Sequence, residues 1–460
     1  MKKILATILA LVLALSLCSV SWATETTQST LQSRINAAGN TETTVALTGN
    51  VTESITVGSG QSIILDLKGY TLTNADGSHT ITNNGTLTIK DSSEGKTGTV
   101  DNVTHARAAI YNNGTMTLEG GSYTRSAEKS DVPNRNSWYV IYNKGELTTC
   151  DGVVVKFSDT DRGTFSSLFV TTGSGAKTTI DGGKFISGRI ALKVEGGTLN
   201  FNGGDVTGDN QAVQCWDTVN ISGGDLTGDV CAWSYTENGS SLAGKITISG
   251  DTTINGDVKA IQWNYNNTPA ATPAMIEIKG GYVFGDARTA TKDYGESAAS
   301  VTAKMEITGG TFNNDVSAYV QAGEEAKTIP VAKVKYASGT EFYAVGDYVS
   351  LEGEYADSGD TLTITQGNAD LTNVPAGVIV NNTGEGKVTV NGTKEVKKGD
   401  APYTVPTKST GGYYYYQPAT DTKADEAKGS PKTFDAGVGI YAVTAVLSVT
   451  GMAWTAKKRH

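Results

Sequence analysis

Four aspartates at recurring glycine corners are the residues whose type and spacing first point to chemistry. Asp209, Asp229, Asp257 and Asp286 each directly follow a glycine. If the chain stacks in coils, neighbouring corners lie about 5 Å apart, where like charges repel unless a cation or hydrogen bonds compensate. Carboxylate and carbonyl oxygens suit calcium, so one prediction is a calcium ladder. The alternative is hydrogen bonding of each carboxylate within its own turn, because the GGxGxDxUx repeat of calcium β-rolls is absent.

A second cluster with catalytic potential is Asp159, Asp161 and Arg162 in the sequence SDTDRG. Glycoside hydrolysis usually needs two carboxyl groups at a fixed separation around one bond. No matching acidic or basic cluster occurs in the neighbouring repeats, and the whole chain has only 3 histidines. Nucleophile elbows, zinc motifs and phosphate loops are absent from the sequence. We therefore predict no catalytic residue and a protein that is not an enzyme, with a polysaccharide lyase or glycoside hydrolase as the alternative.

Aromatic residues border two segments that lengthen the repeats. Tyr235 lies in the segment 234–244, Trp263 directly precedes the segment 264–274, and Tyr265 lies within it. Binding often uses loops over a rigid scaffold. We therefore predict that Tyr235, Trp263 and Tyr265 contact a ligand.

Alignment of the repeats on their corners predicts a strand register. The predicted columns are Ala191, Ala212, Ala232 and Ala260; Leu192, Val213, Trp233 and Ile261; and Val194, Cys215, Tyr235 and Trp263. Side chains two positions apart share a face, so the second and third columns are expected in the interior. Stacking Trp216 and Trp233 on Trp263 instead requires one coil to slip by one residue and another by two. Such a ladder, facing outward, is the kind of platform that binds sugars, but the alignment favours the core.

The elements that must position these residues are short strands between glycine corners. FNGGDVTGDN (201–210), NISGGDLTGDV (220–230) and TISGDTTINGDV (247–258) repeat one pattern, and looser copies occur on both sides. Later corners are spaced by roughly 20 to 31 residues, a range typical of solenoids. Strands this short bury an apolar face only when coils stack on one another. We predict an all-β fold, with a parallel β-helix over 45–316 and a C-terminal cap and small β module over 317–399.

Two further signals predict how the stack is closed and held in register. A helix signal over 28–40 has Ser29 or Thr30 as its cap, and it predicts an N-terminal capping helix within 24–44. Asn112 and Asn143 follow matching Ile-Tyr pairs. Because asparagine tolerates left-handed backbone and bonds its own chain, we predict that these residues stack as a structural ladder at the corners.

Composition bounds the class of protein. The chain has 460 residues, 55 glycines, 18% charged residues and a net charge of −10. This pattern favours many short strands joined by tight corners, and the acidic balance argues against a nucleic-acid partner. Beyond the first 23 residues the cysteines are Cys150, Cys215 and Cys231, an odd number that does not indicate a disulfide framework.

Both ends of the chain carry targeting signals. Residues 1–23 read as a secretory signal peptide, with two lysines, an apolar run and a Ser-Trp-Ala cleavage site. Residues 400–429 are polar and interrupted by prolines, so we predict a flexible stem. In 430–460, SPKTF precedes an uncharged stretch long enough to cross a bilayer and then a basic tail that would stay cytoplasmic.

The C-terminal arrangement resembles a sortase sorting signal. Pro431 and Thr433 match its motif, whereas Ser430 stands where leucine is usual and Phe434 where glycine is usual. The resemblance implies cleavage after Thr433 and attachment to peptidoglycan by a sortase. Because the flanks are altered, retention in the membrane by the transmembrane segment stays open as the alternative.

The N-terminal phrases LQSRINAAG, SIILDLKGYTLT and NNGTLTIKDSS resemble those of secreted right-handed parallel β-helix proteins of Gram-positive gut bacteria. That family is mostly described as adhesin-like surface proteins. The resemblance implies a right-handed coil and a protein anchored at the cell surface, by the wall or the membrane, which displays or binds extended ligands such as glycans or host surface proteins. A lyase or glycoside hydrolase and a purely structural envelope spacer remain the alternatives.

Overall fold

The computed structural model describes residues 29–74, 77–126, 138–157, 167–237, 240–264, 270–293, 302–321, 329–346 and 356–407. Over these residues the chain is mostly β-strand, with one α-helix and one 3₁₀ helix, which confirms the predicted all-β class. It divides into two compact units. The first is formed within 29–276 and 289–304, and the second within 277–288 and 305–407.

The first unit is a parallel β-helix whose coils contribute strands to three parallel sheets. Sheet 1 contains Thr43–Ala46, Ser62–Asp66, Thr86–Lys90, Thr115–Leu118, Glu146–Thr149, Lys177–Ile180, Thr198–Phe201, Thr218–Ile221 and Lys245–Ile248. Sheet 2 contains Val51–Thr52, Thr71–Thr73, Thr99–Asp101, Gly121–Thr124, Val153–Lys156, Lys184–Ser187, the first parts of Asp205–Cys215 and Asp225–Glu237, and Thr253–Asn255. Sheet 3 contains Ile55–Val57, Ile81–Asn83, Ile110–Asn112, Ile141–Asn143, Ser167–Thr171, Ile190–Val194, the second parts of Asp205–Cys215 and Asp225–Glu237, and Val258–Asn264.

The core of this unit lies inside the coils. Successive side chains of a strand point to opposite faces, so every second residue of each short strand enters the interior. On sheet 3 one inward column is Ile81, Ile110, Ile141, Phe169, Leu192 and Val213, and all of these side chains are buried. Because each column continues through neighbouring coils, the coils share one apolar core that no single coil supplies alone.

An asparagine ladder runs beside this column and confirms the predicted stacking. Asn83, Asn112 and Asn143 are paired in register and fully buried. The Nδ2 of Asn83 donates to Oδ1 of Asn112 at 2.7 Å, and Asn112 donates in the same way to Asn143 at 2.8 Å. Each Oδ1 also accepts from the backbone N–H two residues later, including that of Gly114 at 3.3 Å and Gly145 at 3.1 Å. The ladder therefore fixes the corner and its register together.

The predicted register is correct on both sides of one irregularity and wrong across it. Leu192 pairs with Val213, and Trp233 pairs with Ile261, as predicted. Between these regions the paired segments differ in length. Val213 is six residues after Thr207, whereas its partner Val230 is only three residues after Thr227. Because this difference is odd, the strand after it presents the opposite face. Val213 therefore lies opposite Val230 rather than Trp233, and Trp233, Tyr235 and Trp263 lie half-buried on the outside instead of in the core.

The predicted N-terminal helix covers Leu31–Ala37. The Thr30 side chain caps it by accepting a hydrogen bond from the Ser33 N–H, and Leu31 and Ile35 are buried. Glu53 accepts hydrogen bonds from the backbone N–H groups of Leu31 and Gln32, at 2.8 and 3.0 Å. Because these N–H groups have no partner within a helix, the contact ties the helix to the first coil.

The second unit contains the predicted small β module. Val331–Lys335 pairs antiparallel with Glu341–Val345 and Thr361–Gln366, Thr361–Gln366 pairs parallel with Ile379–Asn382, and Ile379–Asn382 pairs antiparallel with Tyr403–Thr404. A separate sheet contains Ala369–Leu371, Val388–Val390 and Lys394–Val396. The last strand lies inside the range predicted as stem, because Tyr403 packs against the core cluster and Val405 is buried in it. The remaining elements are Met275–Val283, Ala287–Asp293, Lys304–Phe312 and the 3₁₀ helix Ser317–Tyr319.

Several sequence predictions fall outside the described residues. These are the signal peptide 1–23, residues 408–429 of the predicted stem, and the sorting signal and transmembrane segment 430–460 with Pro431 and Thr433. Among the residues that are described, no helix is both long and apolar enough to span a bilayer.

Candidate ligand-binding site

A ladder of aromatic rings lies on the outer face of sheet 3 in its first coils. Tyr111 and Tyr142 are opposite each other in adjacent strands, and their rings stack with centroids 5.1 Å apart. His79 stacks on Tyr111 at 4.6 Å, and Trp138 stacks on Tyr142 at 5.4 Å. All four side chains are half-buried, so each keeps part of its surface in solvent. We call these four residues the tyrosine ladder.

A charged pair continues the same face of the sheet. Lys193 lies in the column of Tyr142, two strands further along, and its Nζ is 2.6 Å from Oε1 of Glu195. The Tyr139 hydroxyl donates to the same Oε1 at 3.1 Å. Burial and the charge of Glu195 raise the pKa of Tyr139 above its usual range, so the hydroxyl stays protonated. A cation, an anion and a hydroxyl therefore lie beside the rings.

A second aromatic group lies beyond this pair. Trp216 and Trp233 stack at 5.5 Å, and Trp216 meets Tyr235 nearly perpendicularly at 5.1 Å. Trp263 lies 5.4 Å from Tyr235 and 6.4 Å from Trp233, the latter at an interplanar angle of 75°. All four residues are half-buried. We call them the tryptophan cluster.

The strand pattern explains why the tryptophan cluster faces outward. On Val258–Asn264, Val258 and Ala260 are buried in the interior and Trp263 is half-buried, so the alternation points Trp263 to the outside. Tyr235 is held by an antiparallel hairpin, in which it lies opposite Leu242. The one-coil register change described above brings Trp216 onto the same face as Trp233.

The tyrosine ladder, the Tyr139–Lys193–Glu195 group and the tryptophan cluster together form what we call the aromatic stripe. Those of its residues that belong to the parallel strands lie on one face of one sheet within the first unit, whose strands are spaced by about 4.8 Å. Ring faces pack well against the C–H faces of sugars and other apolar surfaces, and Tyr and Trp lose little conformational entropy on contact. The stripe therefore suits a ligand with a repeating structure.

The aspartates predicted to hold calcium have different environments. Asp229 lies next to Asp257, whose backbone N–H donates to Oδ1 of Asp229 at 3.0 Å. The ammonium of Lys259 forms ion pairs with both carboxylates, the one with Asp257 at 3.5 Å. Asp209 is exposed within the register irregularity, where Gln211 rather than Asp209 faces Asp229. Calcium between Asp229 and Asp257 remains a prediction, and the ion would have to displace Lys259.

The other predicted site residues are distributed as follows. Asp286 belongs to the second unit, whereas Tyr235 and Trp263 lie together in the tryptophan cluster. Tyr265 and the group Asp159, Asp161 and Arg162 lie outside the described residues. Within the described ranges, no group of three His, Cys, Asp or Glu side chains is placed to hold a metal, and Cys150, Cys215 and Cys231 form no disulfide.

Sequence reasoning missed the tyrosine ladder. The repeated Ile-Tyr-Asn of the strands Ile110–Asn112 and Ile141–Asn143 was the available signal, because an inward Ile and Asn require an outward Tyr between them. His79 and Trp138 precede their strands, and no periodicity of the sequence assigns them to the same column.

Comparisons with known proteins do not assign this chain to a family. No family model matches it, and neither a curated protein nor a solved structure was found to be similar to it. Its function must therefore be inferred from the aromatic stripe and from the sequence signals at the two ends of the chain.

His79, at the end of the tyrosine ladder, is expected to make the folding stability of the protein fall at acidic pH. The His79 ring accepts a hydrogen bond from the Ala108 N–H at Nδ1, at 2.9 Å, which requires the neutral ring. Burial, followed by the charge of Arg107, lowers the pKa of His79 to about 4. Between about pH 6.5 and 4 the unfolded chain therefore binds a proton that the folded chain does not, so stability falls as the pH falls.

Replacement His79→Gln tests this expectation through the unfolding midpoint measured from pH 7 to pH 4. Between pH 7 and pH 4 the free energy of unfolding of the wild type should fall by roughly 1–2 kcal/mol more than that of the variant. This difference is smaller than the full pKa shift implies, because the ring is partly solvated. An NMR titration of the ring should give the low pKa directly. An unchanged pH dependence would contradict the assignment.

Proposed function

We propose that this chain is a secreted, surface-anchored β-helix that binds an extended glycan along the aromatic stripe. The observation that carries the proposal is the placement of aromatic side chains on one outer sheet face across successive coils, in two groups joined by charged and hydroxyl groups. Solenoid faces suit extended ligands because each coil adds one more contact surface at a constant spacing. The adhesin-like role and the right-handed coil implied by the N-terminal phrases agree with this function.

The polar groups of the stripe provide hydrogen-bond donors and acceptors, which the faces of the aromatic rings lack. A sugar packs its C–H face on an aromatic ring, but its hydroxyls still need hydrogen-bond partners when water is removed. Lys193, Glu195 and the Tyr139 hydroxyl lie between the two aromatic groups, where a chain that crosses from one to the other would meet them. This arrangement favours glycans over purely apolar ligands.

The cell-surface location of the protein is part of the same proposal and is inferred from the sequence. The signal peptide and the sorting-signal-like C-terminus support export, followed by attachment through sortase at Thr433 or retention in the membrane. A stem between the β module and the anchor would hold the stripe away from the envelope.

The competing functions are a β-helix lyase or glycoside hydrolase and a structural spacer. The enzyme hypothesis depends on Asp159 and Asp161, and two carboxyl groups alone are the minimum for glycoside hydrolysis. The spacer hypothesis predicts no ligand, so it gives no reason for aromatic rings to line one solvent-facing sheet.

A glycan-array screen of the full-length chain in non-ionic detergent, with and without calcium, tests these functions together. We expect binding without shortened products. Replacements Trp216→Ala and Tyr142→Ala should each weaken binding at least about tenfold, since buried aromatic contacts dominate interface energies. Tyr70→Ala is the matched control, because Tyr70 is an exposed tyrosine that is not part of the stripe, and it should bind like the wild type.

Each other outcome has a defined meaning. Shortened products would favour the enzyme and direct attention to Asp159 and Asp161. Calcium-dependent binding would favour a metal at the aspartate corners. Binding that both stripe variants retain would place the glycan elsewhere, and the absence of any binding would favour the spacer.

A further inference from the structure

The tryptophan cluster has the geometry of an aromatic box. Trp233 and Trp263 meet at 75° with centroids 6.4 Å apart, so they form two adjoining walls. Trp216 and Tyr235 form a second nearly perpendicular pair, at 80° and 5.1 Å. The tyrosine ladder differs, because Tyr111 and Tyr142 stack almost parallel, at 13°, and each covers one face of the other. In the tryptophan cluster Trp216 and Trp233 stack at 29°, whereas Trp263 meets Trp233 at 75°.

A cation already lies against these walls. The Lys292 ammonium is 4.5 Å from the ring centroid of Trp263 and 5.5 Å from that of Trp233. Both distances are within the roughly 6 Å at which a cation is attracted by the ring quadrupole. The Lys292 side chain is exposed, so its ammonium approaches the rings from the solvent side. The cluster therefore attracts a positive charge in a place that a ligand can reach.

We propose that the tryptophan cluster is a cage for a quaternary ammonium group, and that Lys292 is its intramolecular occupant in the unliganded protein. The proposal rests on the proposed function, because the group would be a cationic substituent of the same extended surface ligand. It adds the chemical class of that substituent, which the stripe as a whole does not specify.

The contrast with Lys259 shows why the class is quaternary ammonium. The Lys259 ammonium is held by the Asp229 and Asp257 carboxylates, which accept its N–H groups. A quaternary ammonium has no N–H to donate, is weakly hydrated, and gains most from aromatic faces, which is why aromatic boxes recognise choline and methylated lysine. The Trp233 and Trp263 rings lie within cation–π distance of the Lys292 ammonium, and such ring faces attract a cation without accepting an N–H group.

Lys292 would compete with such a ligand. Any ligand cation must displace the lysine ammonium from Trp263, so the apparent affinity is reduced by the fraction of molecules in which the cage is filled. One cation–π contact at an exposed site corresponds to roughly a two- to fivefold change in affinity. Removal of the Lys292 charge should therefore increase affinity for an external cation by about that factor.

The test is to titrate the full-length chain, in non-ionic detergent, with choline and with tetramethylammonium. Tryptophan fluorescence and calorimetry measure the binding. We expect dissociation constants of about 1 mM for the wild type and roughly two- to fivefold tighter binding for Lys292→Gln. Trp263→Ala should weaken binding at least about tenfold. Tyr70→Ala is the matched control, because Tyr70 is an exposed aromatic residue outside the stripe, and it should bind choline like the wild type.

Charge dependence is tested with 3,3-dimethylbutan-1-ol, the uncharged isostere of choline, which should bind at least about tenfold more weakly. Equal binding of the isostere, no binding of either cation, or unchanged binding by Trp263→Ala would each overturn the cage. Lys292→Gln changes only an exposed side chain, so it remains informative if Trp263→Ala does not fold.

The experiments can contradict the glycan-binding function and the quaternary-ammonium cage independently of each other. Glycan binding that depends on Trp216 and Tyr142, together with no response to choline, would retain the glycan function and remove the cage. Choline binding without any glycan on the array would retain the cage and remove the glycan function.

Discussion

Asn112→Ala is expected to destabilise the β-helix by about 3 kcal/mol. Asn112 is fully buried in the middle of the asparagine ladder. Its Nδ2 donates to Oδ1 of Asn143 at 2.8 Å and to the Glu146 carbonyl at 3.0 Å, and its Oδ1 accepts from Asn83. Alanine removes all of these bonds and leaves buried polar groups on two neighbouring coils, each costing about 1–3 kcal/mol when unsatisfied.

The adjacent residue provides a matched control. Asn113 is exposed and also bonds to the preceding coil, through its Nδ2 and Oδ1 of Asn84 at 2.8 Å. Because solvent replaces an exposed hydrogen bond, Asn113→Ala should change stability by less than about 0.5 kcal/mol. Denaturant midpoints give the comparison, and hydrogen exchange of neighbouring amides shows whether only the adjacent coils loosen, since repeat proteins can unfold in parts. Equal effects of the two substitutions would contradict the structural role of the ladder.

Gly145→Ala is expected to cost about 3 kcal/mol for a steric reason. A Cβ on Gly145 would lie far inside van der Waals contact with the carbonyl oxygen of Gly114 in the preceding coil. That oxygen accepts a backbone hydrogen bond from the Glu146 N–H at 2.9 Å, so it cannot turn away without losing the bond. Over-packing of this kind typically costs about 1–3 kcal/mol and forces backbone shifts.

Gly49→Ala is the control for this prediction. Neither Gly49 nor Gly145 has left-handed backbone, but no atom lies within 4 Å of the position that a Cβ on Gly49 would occupy. Its replacement should be neutral or should stabilise by up to about 1 kcal/mol, because alanine restricts the unfolded chain. The thermal unfolding midpoints of the two variants give the test. A midpoint of Gly145→Ala close to that of Gly49→Ala would show that the coils separate more easily than the contact implies.

Much of the fold could be predicted because it depends on local patterns. Alternating apolar residues predicted strands, glycine corners predicted coils, and the helix signal over 28–40 with its cap at Ser29 or Thr30 predicted the capping helix. Asn112 and Asn143 could be aligned because each follows the same Ile-Tyr pair. In each case the residues that carry the pattern also make the contact, so the pattern in the chain is sufficient.

The candidate site could be predicted only in part. Tyr235 and Trp263 were identified from their position beside lengthened repeats, and the structure brings them together with Trp216 and Trp233. The alignment nevertheless predicted the wrong face for them. It aligned the repeats on their corners and carried the register of each corner into the following strand, whereas the six residue steps from Thr207 to Val213 face only three in the next coil. A difference of an odd number of residues reverses the face of every later side chain.

The sequence alone determined the all-β class, the stacked coils, the N-terminal cap and the asparagine ladder, because these follow from alternation and from residues that act on their own turn. Only the tertiary structure decided which aromatic residues share a surface, that Lys259 lies between Asp229 and Asp257, and that Lys292 lies over Trp263. Each of these arrangements includes residues of different coils. Their positions depend on the length of every intervening turn, and a small irregularity in one coil decides whether a ring is buried in the core or faces a ligand.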